Sequence, residues 1–287
     1  MSEKMIKAGV VGWPVSHSRS PLIHNHWIAT LGLSGHYDAI AIEPDHFERD
    51  IRALMDQGYA GVNVTVPHKQ AALALADKVH PMASRIGAVN TLVFPGDGSI
   101  EALNTDYVGF IENIKSGVPD IALKGMTVLV LGAGGAACAV ICGLIDAEVT
   151  RVILTNRTRA KAEDIKGALG GPIEIVDWDD RRGALEGIDL LVNTTSLGME
   201  GSAPLVLDLA ALPRSAIVTD IVYAPLETDL LAGARARGNG VVDGLGMLLH
   251  QAAPSFAAWF GVMPTVDARL RQIIIDDLEK DDLEKNS

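Results

Sequence analysis

Three small residues at fixed spacing mark a turn that could hold a phosphate-bearing cofactor. Gly132, Gly134 and Ala137 fit the pattern G-x-G-x-x-A, directly after the run 127–131 of apolar or β-branched residues. Gly132 permits a sharp turn, Gly134 has no Cβ to keep a pyrophosphate away, and Ala137 lets the next helix pack close to the strand. The N–H groups and positive dipole end of that helix would face the phosphates. The spacing predicts a dinucleotide-binding turn; the alternative is a packing turn that binds nothing.

A basic run follows the next predicted strand, 152–155. An NAD site usually has an acidic residue about 20 positions after the first glycine, where it binds the ribose hydroxyls. This chain instead has Asn156, Arg157, Thr158, Arg159 and Lys161. An Arg side chain can stack on adenine and bind a 2′-phosphate through paired donors. In a chain of net charge −12, this cluster favours NADP over NAD; the alternative is a solvated helix start.

Polar side chains also follow the predicted strands of the first part of the chain. They are Ser18, Ser20, Asn63, Thr65, Lys69, Asn90 and Asp106. A nicotinamide enzyme acting on an alcohol needs hydrogen-bond donors and an acid/base for the hydroxyl proton, and these residue types supply both. Each also has a structural interpretation, since Ser, Asn and Asp cap helices and most Lys side chains are solvated. The residues by themselves leave both interpretations open.

Alternating apolar runs predict the strands and helices that position these residues, and the predicted fold class is α/β. In the first part, strands are expected at 7–12, 37–42 and 61–66, with a helix at 69–79 and a hairpin of 89–94 and 100–103. Ser20 is expected to cap the first helix, with Pro21 at its first position. In the second part, strands are expected at 127–131, 152–155, 173–176, 189–194, 216–221 and 241–242. A helix at 244–260 and a frayed acidic helix end at 276–285 complete the pattern.

Composition limits the class of protein. A length of 287 residues, with 48% hydrophobic and 21% charged residues, predicts two domains with ample cores. The negative net charge argues against nucleic acid as a partner. Cys138 and Cys142 are expected to be packing residues, so neither disulfides nor a metal site is predicted, and a reducing cytoplasm fits. Residues 1–7 lack the apolar stretch of a secretory signal, and no run reaches the ~20 apolar residues of a membrane span.

Spaced motifs along the whole chain give the most specific signal. The pattern G-x-P-x-x-H-S-x-S-P-x-x-H-N begins at Gly12, and G-x-N-V-T-x-P-x-K begins at Gly61. G-A-x-N-T begins at Gly87 and N-T-D-x-x-G at Asn104. The second part adds the turn 132–137, the run 156–158, then Asp220, Tyr223, Pro225 and Thr228, and the segment 244–251. In this order, over residues 6–260, the sequence resembles the shikimate dehydrogenase family.

The resemblance implies a two-domain oxidoreductase. It implies a substrate domain of residues 1–107 with 246–287, a Rossmann-type NADP-binding domain of residues 108–245, and a C-terminal helix that returns to the substrate domain. The implied reaction is the reversible NADP-dependent reduction of 3-dehydroshikimate to shikimate, in aromatic amino-acid biosynthesis. The implied protein is a cytoplasmic monomer or homodimer that acts on a small molecule, with neither nucleic acid nor membrane as a partner.

The resemblance also implies roles for individual residues. Lys69 and Asp106 would be the catalytic pair. The implied substrate contacts are Ser18, Ser20, Asn63, Thr65, Lys69, Asn90, Asp106, Tyr223 and Gln251. The implied cofactor contacts are Gly132, Ala133, Gly134, Gly135, Ala136, Asn156, Arg157, Thr158, Lys161, Thr195, Ile221, Gly244 and Met247. His17 and His24 belong to the family pattern and are expected to be structural, because Lys69 already fills the acid/base role.

The sequence departs from the family pattern at two points, and other functions stay open. Lys161 stands where the family often has Arg, and an ammonium binds a 2′-phosphate less well than a guanidinium fork. Trp13 narrows the substrate loop. One alternative is a quinate/shikimate dehydrogenase that uses NAD. Another is a non-catalytic NADP-binding sensor, which would be expected to lack Lys69 or Asp106. A methylene-folate dehydrogenase of similar build would lack the serine pair.

Overall fold

Two six-stranded sheets organise the chain, one in each of two units. The computed structural model describes residues 5–285, including every side chain except those of 282, 284 and 285. The first unit comprises Met1–Thr105 and Leu249–Ser287, and the second comprises Asp106–Leu248. The predicted boundaries, at 107/108 and 245/246, lie within three residues of this division.

The helices and strands alternate along both units. The strands are β1 (Ile6–Gly12), β2 (Gly35–Ala41), β3 (Tyr59–Val64), β4 (Lys78–Val79), β5 (Thr91–Val93), β6 (Glu101–Leu103), β7 (Thr127–Leu131), β8 (Arg151–Thr155), β9 (Ile173–Ile175), β10 (Leu190–Asn193), β11 (Ile217–Asp220) and β12 (Gly240–Val242). The helices are α1 (Ser20–Thr30), α2 (Phe47–Asp56), α3 (Lys69–Leu75), α4 (Pro81–Ile86), α5 (Asp106–Gly117), α6 (Gly135–Asp146), α7 (Arg159–Leu169), α8 (Asp229–Ala236), α9 (Leu245–Phe260) and α10 (Ala268–Lys285).

The first unit contains a mixed sheet in the order β2-β1-β3-β5-β6-β4. Strand β1 pairs in parallel with β2 at one edge and with β3 at the other, and its Val10 and Val11 are buried. Strands β5 and β6 form the predicted antiparallel hairpin. Val62, Leu92 and Ile51 belong to one buried cluster between this sheet and its helices.

The second unit contains a parallel sheet in the order β12-β11-β10-β7-β8-β9. Read from β7 as the first strand, this is the Rossmann order: β8 and β9 are added on one side of β7, and β10, β11 and β12 are added on the other. Val128 and Val130 pack on one face of β7, while Leu129 and Leu131 pack on the other. Burial on both faces explains why the four residues from Val128 to Leu131 are all apolar. The predicted fold class is confirmed.

Two local predictions are wrong. The helix expected at 69–79 ends at Leu75, because Lys78–Val79 pairs with β6 and Pro81 starts a new helix. Ser20 is the first residue of α1 and not its cap; the capping position is Arg19, whose side chain makes no cap bond. The acidic segment 276–285, expected to be a helix end, is helical to Lys285.

Within residues 5–285, no helix is both long and apolar enough to cross a membrane. The same residues contain no group of three or more His, Cys, Asp or Glu side chains that could hold a metal ion.

Candidate functional site

The turn between β7 and α6 requires glycine at one position and leaves space at the next two glycines. Gly132 has a φ of 106°, a conformation that L side chains rarely adopt. A Cβ there would lie 2.8 Å from both Thr194 Oγ1 and Thr195 Cγ2. At Gly134 and Gly135 a Cβ would meet nothing within 4 Å. The backbone at these two glycines is therefore open to a ligand.

The start of α6 has the character of an anion site. Gly134 is the capping residue and no side chain caps the first turn. The helix has 12 residues, and its first turn holds no acidic residue. Uncapped N–H groups at the positive end of a helix dipole favour phosphate. This backbone fits the pyrophosphate of a dinucleotide.

A cavity of about 250 Å³ adjoins the turn. It is lined by Gly132, Ala133, Gly134, Asn156, Arg157, Thr158, Lys161, Trp178, Thr194, Thr195 and Ser196. Asn156 joins the two sides of the cavity, because its Oδ1 accepts from Ala133 N at 3.2 Å and its Nδ2 donates to Thr158 O at 2.8 Å. The glycine turn and the basic run, which are separate in sequence, thus form one wall.

The positive charge in this wall comes from two side chains. Arg157 and Lys161 are exposed, and neither has a carboxylate within 4 Å among the residues that the structure describes. Arg159 belonged to the basic cluster in the sequence interpretation, but its Nε and Nη1 donate to Glu163 and Asp177 at 2.9 and 2.6 Å. Arg157 and Lys161 are thus available to a 2′-phosphate, whereas Arg159 is paired on the surface.

A buried carboxylate orders the loops that follow β10 and β11. Asp220 accepts from Asn193 Nδ2 at 3.0 Å, from Val222 N at 3.0 Å and from Thr228 Oγ1 at 2.9 Å. Burial raises the pKa of Asp220, and these hydrogen bonds oppose that rise. Asn193 Oδ1 in turn accepts from Thr195 N and Oγ1, at 3.0 and 2.7 Å. The network holds Thr195 in the cavity wall.

Ile221 and Gly244, both predicted cofactor contacts, lie against each other. A Cβ on Gly244 would be 2.4 Å from Ile221 O, so only glycine fits. Met247 follows in the first turns of α9 and is buried. The part of α9 that belongs to the second unit therefore packs beside the β11 loop.

In the first unit, two buried asparagines form one hydrogen-bonded network. Asn90 Nδ2 donates to Thr105 Oγ1 at 2.9 Å and to Gln251 Oε1 at 3.3 Å. Asn63 Nδ2 has acceptors at 3.1 Å on Asn90 O and on Ser255 Oγ. Strands β3 and β5 and the α9 segment thus bring together Asn63, Asn90 and Gln251, which are 188 residues apart along the chain at their extremes (251 − 63).

Tyr37 completes this network from β2. Its hydroxyl donates to Asn63 Oδ1 at 2.6 Å, which fixes the orientation of that amide. Burial raises the pKa of Tyr37 well above its ordinary value, and the Ser20 side chain partly opposes the rise. Tyr37 therefore connects Asn63 to the predicted serine loop.

The ends of β1 and β3 position the remaining predicted residues of this unit. Thr65 N donates to Val11 O at 2.9 Å, so Thr65 leaves β3 beside the end of β1. Ser18 Oγ accepts from Ser20 N at 3.3 Å. Lys69 is the first residue of α3 and is half-buried.

Comparison with known proteins identifies the relatives of this fold. Residues 10–92 match the shikimate dehydrogenase substrate binding domain, residues 114–200 match shikimate / quinate 5-dehydrogenase, and residues 244–272 match the shikimate 5′-dehydrogenase C-terminal domain. The shikimate dehydrogenase (NADP(+)) of Paramagnetospirillum magneticum is 54% identical over 275 residues, which is 96% of this chain and 100% of that protein. The chain belongs to the shikimate dehydrogenase family.

Two solved structures show what members of similar shape bind. Shikimate 5-dehydrogenase from Thermus thermophilus, in complex with NADP(H) and shikimate, has a TM-score of 0.83 and 36% identity, and the match covers 96% of this chain and 100% of that one. Quinate dehydrogenase from Corynebacterium glutamicum, in complex with NAD, has a TM-score of 0.87 and 31% identity, and the match covers 95% and 100%.

The predicted site residues of this family member divide between the units. Those in the first unit are Ser18, Ser20, Asn63, Thr65, Lys69, Asn90 and Gln251. Asp106, the first residue of α5, and Tyr223 lie in the second unit, together with all the predicted cofactor contacts.

Trp178 lines the cavity beside the glycine turn but was not among the predicted site residues. Its ring lies under the Arg181 guanidinium, 4.5 Å from the ring centroid, and Arg181 Nη1 donates to Trp178 O at 2.6 Å. A signal existed, because Trp178 follows the predicted strand 173–176, and ligands bind beyond the carboxyl ends of such strands. Tyr37 and Ser255, which position Asn63, had no local signal of that kind.

Proposed function

We propose that this protein catalyses the reversible NADP-dependent reduction of 3-dehydroshikimate to shikimate. The observation that carries the proposal is the cavity at the glycine turn, where Arg157 and Lys161 have no carboxylate partner among the described residues, in a chain of this family. The Thermus relative binds NADP(H) and shikimate. We place the reaction in aromatic amino-acid biosynthesis, and the protein in the cytoplasm as a monomer or homodimer.

Residues 108–245, together with Met247, bind NADP in this proposal. The N–H groups of Gly134, Gly135 and Ala136 hold the pyrophosphate, and Ala133 and Gly132 shape the turn. Arg157, Thr158 and Lys161 bind the 2′-phosphate, with Asn156 linking them to the turn. The remaining contacts are Thr195, Ile221, Gly244 and Met247.

Residues 1–107 with 246–287, together with Tyr223, bind the substrate in this proposal. Its hydroxyls and carboxylate form hydrogen bonds with Ser18, Ser20, Asn63, Thr65, Lys69, Asn90, Asp106, Tyr223 and Gln251. Bound NADPH supplies a hydride to the carbonyl carbon. Lys69 Nζ donates a proton to the carbonyl oxygen, which becomes the hydroxyl of shikimate, and accepts it in the reverse direction. Asp106 supplies the carboxylate that orients the reacting hydroxyl.

A second candidate is a quinate/shikimate dehydrogenase that uses NAD. The likeness to the NAD-bound quinate dehydrogenase favours it. Arg157 and Lys161 oppose it, because NAD has no 2′-phosphate to pair with them.

The test is a spectrophotometric assay that crosses shikimate and quinate with NADP and NAD. We expect turnover chiefly with shikimate and NADP. Turnover chiefly with quinate and NAD would replace the proposal with the second candidate. NADP binding without turnover of any pair would indicate a non-catalytic sensor.

Lys69→Ala tests the catalytic assignment. Loss of general acid–base catalysis predicts a kcat about 10²- to 10⁴-fold lower, with the Kd for NADP within about twofold of wild type. Lys78→Ala is the matched control, because Lys78 is an exposed lysine of the same unit. An equal loss of NADP affinity in Lys69→Ala would contradict the assigned role.

A further inference from the structure

Arg19 lies between Ser18 and Ser20 in the loop that precedes α1. Each of its three guanidinium nitrogens donates a hydrogen bond. Nε donates to Asp277 Oδ2 at 3.1 Å, Nη1 donates to His17 O at 2.9 Å, and Nη2 donates to Asp281 Oδ2. Only 12% of the Arg19 side chain is exposed, against 35% and 37% for the two carboxylates. We call these three side chains, Arg19, Asp277 and Asp281, the Arg19 link.

The helical period explains why these two carboxylates face Arg19. Leu270 and Ile274 are fully buried on α10, and Asp277 and Asp281 continue the same face at spacings of three and four residues. The helix is fixed from its start, because Asp267 Oδ1 accepts from Leu270 N at 2.8 Å. The buried apolar stripe of α10 therefore ends in two carboxylates that contact Arg19, in the same unit.

Residues 276–280 and 281–285 both have the sequence D-D-L-E-K. This tandem repeat does not itself produce the Arg19 link. Its period of five residues turns equivalent positions to different faces of a helix, and Asp277 and Asp281 are non-equivalent members of the two repeats. Asp276, the neighbour of Asp277, instead accepts from Gln272 Nε2 at 2.7 Å on the exposed side. The match to the C-terminal family domain ends at residue 272, so both carboxylates lie beyond it.

We propose that Arg19 is a positioning residue, and that the Arg19 link holds Ser18 and Ser20 in the geometry that receives the substrate; this role rests on the proposed function. The backbone of residues 17–20 is tied twice, through His17 O and through Arg19 itself. The link also neutralises the guanidinium. Without Asp277 and Asp281, a cation beside the two serines would be free to reorient the loop or to bind the substrate carboxylate in another position.

The test is the double variant Asp277→Asn with Asp281→Asn, compared with Asp276→Asn as the matched control on the same helix. Charge-assisted bonds at a partly exposed site predict a KM for shikimate about three- to tenfold higher in the double variant. We expect kcat and the KM for NADP to stay within about twofold of wild type, because the Arg19 link contacts neither Lys69 nor any of the proposed NADP contacts. Arg19→Lys keeps the positive charge but lacks the paired donors of a guanidinium. The KM of this variant for shikimate should therefore lie between those of wild type and the double variant.

Hydrogen exchange of residues 13–20 provides a readout that does not need activity. The double variant should exchange about tenfold faster than wild type there, and Asp276→Asn should not. An unchanged KM for shikimate, or a rise of equal size in Asp276→Asn, would overturn the positioning role. If wild type turned over none of the substrates, the proposed function would be wrong. Independently of activity, unchanged hydrogen exchange of residues 13–20 in the double variant would overturn the role of the Arg19 link.

Discussion

His24 lies unprotonated in an aromatic cluster, and this predicts a specific loss of stability in mild acid. The ring stacks on Tyr37, with centroids 4.0 Å apart and an interplanar angle of 1°. Trp27, Phe256 and Trp259 surround it at 5.6 to 5.9 Å. Both ring nitrogens are buried, and neither has a hydrogen-bond partner within the described part of the chain. Burial lowers the pKa of His24 from 6.5 to about 3, and the Asn63 side chain offsets only part of that shift.

The size of the effect follows from proton linkage. Below pH 6.5 the unfolded chain protonates His24, whereas the folded chain does so only near pH 3. Unfolding between these values takes up a proton, so the free energy of unfolding falls by about 1.4 kcal/mol for each pH unit. From pH 7 to pH 5 the integrated loss is about 2 kcal/mol. The contribution is fully present above pH 6.5 and is lost as the pH falls.

Urea unfolding at pH 7 and pH 5 tests this, with His24→Phe as the perturbation. Phe keeps a ring in the aromatic cluster but binds no proton, so wild type should lose about 2 kcal/mol more than the variant over this interval. All other titrating groups are common to both chains and cancel in the difference. His36→Phe, whose site is 58% exposed, controls for the loss of a histidine as such. Equal losses in wild type and His24→Phe would refute the reasoning.

The other predictions concern the cofactor cavity. Gly132→Ala should lower the free energy of unfolding by about 1–3 kcal/mol, measured in urea, because of its positive φ and the contacts of the new Cβ. Gly134→Ala should keep wild-type stability but weaken NADP binding in a fluorescence titration; unchanged affinity would place the pyrophosphate elsewhere. Arg157→Ala should raise the Kd for NADP about tenfold or more and leave that for NAD nearly unchanged, and equal losses would argue against a 2′-phosphate contact. Trp178→Leu should raise the Kd for NADP about two- to tenfold, because the indole ring would no longer be available to stack on an aromatic ring of the cofactor. Trp13→Leu, in the other unit, should leave this Kd unchanged.

Local patterns in the sequence determined the fold class and the position of the glycine turn between β7 and α6. Alternating apolar runs place β7 and its neighbours, because a parallel strand buried on both faces must be apolar throughout. The role of Gly132 can be predicted from the sequence, because it depends only on the local backbone of the turn, whose φ of 106° favours glycine. The motif order over residues 6–260 also identified the family.

Partners far apart in the sequence could be decided only by the tertiary structure. Arg19 and its two carboxylates are separated by 258 and 262 residues, so the acidic tail resembled a solvated helix end. Arg159 belongs to the basic cluster in the sequence, but in the structure it pairs with Asp177 and does not line the cavity. Trp178 enters the cavity because β9 pairs with β8. Charge and aromatic character are visible in a sequence, but the side chain that neutralises a charge or lies beside a ring is set by how the sheets and helices pack.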